Sequence, residues 1–74
     1  MVAREVKLRI VAQGKCRSVP RSFDGRIKYL PSVGGMICQL SEAEEDCFDT
    51  SKQAVLAAEG FREQARARLQ EEFG

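Results

Sequence analysis

The dipeptide Asp24-Gly25 constrains this chain more than any other pair of residues. Asp and Gly accept positive φ at low cost. Between stretches that mix β-branched and aromatic residues with charged ones, they mark a β-hairpin. The segment KCRSVPRSFDGRIKYLP, residues 15 to 31, therefore folds back on itself. Two registers compete. A two-residue loop pairs Phe23 with Arg26, Arg21 with Lys28 and Val19 with Leu30, setting Phe23, Arg21, Arg26 and Lys28 on one face as a platform suited to nucleic acid. A three-residue loop closed by a left-handed Gly, with its bulge, pairs Ser22 with Arg26, Arg21 with Ile27 and Val19 with Tyr29. The second clusters Val19, Ile27 and Tyr29 inward and turns Ser22, Pro20, Arg26 and Lys28 out.

Magnitudes favour the bulged register. The two-residue loop places Arg21 directly opposite Lys28, which costs a few tenths of a kcal/mol to about 1 kcal/mol. It also separates Val19 from Ile27 and Tyr29, and burying a large apolar side chain contributes roughly 1.5–3 kcal/mol. The sequence thus predicts the bulge, with Phe23 in the loop.

Upstream, REVKLRIVA (residues 4–12) alternates with period two, with Val6, Leu8, Ile10 and Ala12 on one face, the pattern of a half-buried strand. Downstream, Pro31 ends the third strand and Gly34-Gly35 allows a turn. MICQL (residues 36–40) then reads as a fourth short strand. Ser41 and Glu44 form a capping-box pattern opening a short acidic helix, and Thr50 with Gln53 opens a second, longer one. Along residues 51–72 the residues Ala54, Ala57, Ala58, Phe61, Ala65 and Leu69 make a core stripe. The expectation is one α+β domain over residues 1–74: a small antiparallel sheet of three to four strands, a short helix, and a longer C-terminal helix.

Composition narrows function. Residues 1–31 carry eight Lys/Arg against two Asp/Glu, and residues 32–74 carry four against nine, for a net charge of +1. Halves of opposite sign are expected to fold together and neutralise each other. Arg4, Glu5, Lys7 and Arg9 break the first apolar run well short of membrane length, and no signal peptide is recognisable. Cys16, Cys38 and Cys47 are widely spaced and the chain has no His, so neither a zinc site nor a base-assisted catalytic thiol is expected. The acidic run EAEEDCFD lacks the spacing of a calcium loop. These readings predict a cytoplasmic protein with reduced thiols and no metal, cofactor or enzymatic activity.

Two sets of residues are candidates for binding. Leu56, Gly60 and Ala67 fall on the side of the last helix away from its core stripe. Gly60 costs about 1 kcal/mol there relative to Ala, so close approach of a partner helix, most simply in a homodimer, would account for it. The alternative is weak, non-specific nucleic-acid contact by Lys7, Arg9, Arg26 and Lys28 on a basic sheet face, which requires their strands to be neighbours and relies on phosphate contacts alone.

The stretch PRSFDGRIKYLPSVGGMICQLSEAEEDCF (residues 20–48), followed by AAEGFREQARARL (residues 57–69), resembles the short bacterial proteins grouped as domain of unknown function 1488. The matching features fall on Arg21 to Asp24, Ile27 to Tyr29, Gly35, Cys38 to Ser41, Asp46 and Phe48, then on Phe61, Arg62 and Ala65. The resemblance implies a small cytoplasmic α+β protein, and it brings no catalytic residues with it.

Overall fold

Asp24 and Gly25 both adopt positive φ, 49° and 83°. That is the geometry of a two-residue type I′ loop, whose twist matches that of the strands it joins. The computed structural model describes residues 2–74. In it β1 (Cys16–Phe23) and β2 (Arg26–Val33) pair antiparallel with Phe23 opposite Arg26, Arg21 opposite Lys28 and Val19 opposite Leu30. The bulged register is thereby corrected. The repulsion that argued against the tight loop is relieved by acids from another segment: Arg21 pairs with Glu42 and Lys28 with Asp49. Leu30, not Ile27, fills the interior: Leu30 is fully buried, whereas Ile27 is 51% exposed.

Gly34 and Gly35, also at positive φ, repeat the two-residue turn and lead to β3 (Met36–Ile37), giving the sheet order β1-β2-β3. β3 is shorter than the expected strand over residues 36–40. After Ile37 a single bond, from the Cys38 N–H to the Pro31 carbonyl at 3.0 Å, holds the chain to β2 before it departs. It returns at Phe48, which exchanges two 2.8 Å bonds with Tyr29. Since Tyr29 directs both backbone groups away from β1, the opposed pair Pro20 and Tyr29 is a non-bonded one. The missing N–H of Pro20 therefore falls on the open edge of β1, which blunts that edge against further strands.

The largest departure from expectation is at the start of the chain. Residues read as a strand form α1 (Ala3–Gln13) instead. Alternation over so few residues is also compatible with helical spacing. Leu8, Val11 and Ala12 lie three and four apart and turn toward the interior, and Glu5 pairs with Arg9 at i,i+4. The sheet also offers such a strand no place: one edge carries Pro20, the other is taken by β3 and Phe48.

The short helix shrinks to one 3-10 turn, Glu44–Asp46. The Ser41 hydroxyl accepts from the Ala43 N–H and donates to the Asp46 carboxylate, closing a local turn rather than capping an α-helix. The second capping box forms as read: Thr50 accepts from the Gln53 N–H, and the Gln53 side chain accepts from the Thr50 N–H, both at 3.2 Å. It starts α2 (Ser51–Phe73), 23 residues and about 34 Å long at 1.5 Å per residue.

One helix of that length serves two partners. Its first half packs on the sheet, burying Ala54 and Ala58 completely against a core that includes Leu30 and Val33. Its second half runs antiparallel to α1, pinned by Arg4 to Glu72 at one end and by the Arg66 Nε bond to the Ala12 carbonyl at the other. Small side chains on the α2 stripe let the backbones approach closely, as expected for helix-to-sheet and helix-to-helix contact. The fold is α+β, a three-stranded antiparallel sheet followed by a short helical turn and a long C-terminal helix, with α1 added in front. No helix among the described residues is long and apolar enough to cross a membrane.

Candidate interaction surfaces

The basic residues do not form a sheet face. Lys7 and Arg9 belong to α1, and Arg9 is paired with Glu5 at 2.7 Å. Arg26 and Lys28 lie near the hairpin tip, and segment 42–49 meets them with acids: Glu44 to Arg26 at 2.8 Å, Asp49 to Lys28, and Glu42 to Arg21 on the same face of the ribbon. An acidic strap thus meets three of the four cations of the ribbon, leaving Arg17 without an ion-pair partner among the described residues. Acids of the second half of the sequence neutralise cations of the first, as the composition suggested. Each pair is solvent-exposed and contributes at most about 1 kcal/mol. Their combined effect is to remove the basic platform that the tight register would otherwise present.

Leu56, Gly60 and Ala67 do come together. Their spacing of four and seven places all three within about 40° on a helix of 3.6 residues per turn, and all three are exposed. Leu56 is 58% exposed, and a Cβ added to Gly60 would meet nothing within 4 Å. Gly60 has an ordinary helical backbone and no neighbour among the described residues that requires its smallness.

The three cysteines are free thiols. Partial burial pushes the Cys38 thiol above its ordinary value of 9.0, a hydrogen bond with the Val33 backbone opposes the rise, and nearby Cys16 adds to it. Cys47 is also raised, chiefly by desolvation, with Arg21 and Lys28 opposing and Asp46 and Glu42 reinforcing. A thiol whose pKa is higher when folded stabilises the native state below the unfolded value, and that contribution is lost as pH rises through the folded value. Native stability is therefore expected to decline above about pH 9. Thiol-reagent labelling of the native chain at pH 7 should be slower at Cys38 than in urea, and mass spectrometry after timed quenching reads both. Cys38 labelling as fast in the native chain as in urea would contradict this.

A further feature escaped the sequence reading. α1, α2 and residues 36–40 enclose an open groove of about 410 Å³. Leu8, Val11, Met36, Phe61 and Ala65 contribute its apolar surface, and Arg4, Lys7 and Arg68 stand around it. Leu40 also borders it, with its side chain wholly exposed. Reading residues 4–12 as a strand separated Arg4, Lys7, Leu8 and Val11 onto two faces. A helical wheel, on which they are three and four apart, brings them together.

No known protein-family model matches the chain, and no curated protein or solved structure is significantly similar to it.

Proposed function

We propose that this chain is a small non-enzymatic interaction module of the cytoplasm that self-associates as a dimer through the outer face of α2. The resemblance to the domain of unknown function 1488 proteins belongs to the same reading. The observation that carries the proposal is Gly60. A glycine inside a helix costs about 1 kcal/mol, and no contact among the described residues offsets that cost. Close passage of a second α2 over Gly60 and Ala67, with Leu56 packed alongside, supplies the reason. A chain of this length buries only about 60% of its unfolded surface, so a partner subunit adds stability that the monomer core lacks.

Light scattering at micromolar concentration is expected to give twice the monomer mass, with a melting temperature that rises with concentration. Leu56→Lys should return the mass to that of a monomer while leaving the far-ultraviolet circular dichroism unchanged. Gly60→Ala gives the sharper discrimination. In a monomer it removes a helix penalty and raises the melting temperature. At a helix crossing it inserts a methyl group between backbones and weakens association. A monomeric mass at all concentrations overturns the proposal.

A further inference from the structure

The groove between α1, α2 and the end of β3 combines two properties. Its floor is apolar, from Leu8, Val11, Met36, Phe61 and Ala65, while its polar margin carries three cations and no carboxylate. Arg4 is held by Glu72 at 2.9 Å, but Lys7 and Arg68 have no ion-pair partner among the described residues. Lys15, Arg17, Lys52 and Arg62 likewise have no ion-pair partner among the described residues, but of the unpaired cations only Lys7 and Arg68 stand at the groove. Two unmatched cations on facing helices, above a low-dielectric wall, focus positive potential into the cleft between them. The amide of Gln39 is not available there, since it donates to the Ser41 and Asp46 carbonyls. The fully exposed Leu40 extends the apolar surface past the floor to the mouth. The volume of about 410 Å³ lies within the range of roughly 300–1,000 Å³ typical of small-ligand sites.

We propose that this groove binds a small amphipathic anion, a single alkyl chain along the floor with a carboxylate head held between Lys7 and Arg68. The chain leaves water against Leu8, Met36 and Phe61, which supplies affinity. The two cations supply selection for negative charge through charge-assisted hydrogen bonds. Leu40 closes over the chain where it leaves the groove. Leu56, Gly60 and Ala67 take no part, so the site stands whether or not the chain dimerises.

Isothermal titration of the full chain with decanoate, and separately with decylamine, both below their micellar concentrations, tests the assignment. Decanoate is expected to bind saturably at one site per chain, and decylamine about tenfold more weakly or worse. Lys7→Gln with Arg68→Gln should weaken decanoate by about tenfold or more without changing the unliganded melting curve, because both side chains are exposed. Lys15→Gln with Lys52→Gln removes the same charge elsewhere and should leave binding unchanged. Decanoate should also shift the methyl resonances of Leu8 and Met36. Absent or non-saturable binding, equal affinity for decylamine, equal loss in both double variants, or shifts confined to Leu56 would each overturn the proposal.

Discussion

Leu30→Ala is expected to lower the unfolding free energy by about 2–5 kcal/mol, a large share of the roughly 4–11 kcal/mol that a chain of this length can hold at about 0.05–0.15 kcal/mol per residue. Leu30 is fully buried, stands opposite Val19, and shares the interior with Val33, Ala54 and Ala58. Truncation removes its transfer free energy and leaves a cavity, and alanines on the covering helix have no side chain long enough to fill it. Urea denaturation should show the midpoint fall with little change in slope. Ile27→Ala is the internal comparison, since Ile27 lies in the same strand but is about half exposed. The pair reads the hairpin register directly. In the two-residue register Leu30 is the costly position. In the bulged register Ile27 joins Val19 and Tyr29 inside, and the order reverses. A larger loss at Ile27 than at Leu30 would contradict the pairing of Val19 with Leu30.

The hairpin also shows what a sequence can and cannot disclose. That Asp24-Gly25 reverses the chain was legible, because the requirement for positive φ is local. Which loop it forms was not, because the deciding term is long-range: Glu42 and Asp49, some 21 residues from their partners, relieve the opposition of Arg21 and Lys28. The same distinction separates the two capping boxes. Thr50 and Gln53 act on a helix that follows immediately, and they form as read. Glu44 is drawn away to Arg26, and Ser41 to its own local turn, so the first box does not form. α1 was misread for a related reason. Its apolar residues satisfy both periods over a short span, and the arbiter is the lack of a sheet edge suited to another strand, which depends on Pro20, β3 and Phe48. The groove was hidden by that misreading. The outer face of α2 was legible because a long helix has one dominant period.

Gly14→Ala is expected to destabilise the fold by about 1–3 kcal/mol, the cost of forcing extra volume into a close-packed site. The backbone there is not the reason: Gly14 sits at φ −77°, which alanine adopts without strain. The reason is contact. A Cβ at Gly14 would lie 2.5 Å from the Gly34 nitrogen, 2.7 Å from the Gly34 Cα and 2.8 Å from the Ile10 carbonyl oxygen, all of them backbone atoms that no rotamer change can move. To admit it, the end of α1 must separate from the β2–β3 turn, lengthening the 3.2 Å bond from the Gly34 N–H to the Lys15 carbonyl. That bond and the Arg66 bond to Ala12 fix where α1 ends, so the damage should spread along α1 and into the groove it walls. For a domain of this size the melting temperature should fall by about 4–8 °C per kcal/mol. Hydrogen exchange localises the effect. Amides of α1 should exchange faster relative to the wild type than those around Ala54 and Ala58, which pack on the sheet and not on α1. An unchanged melting temperature would mean that α1 does not approach the turn as closely as the two glycines allow. Uniformly faster exchange would mean instead that α1 is an inseparable part of the core.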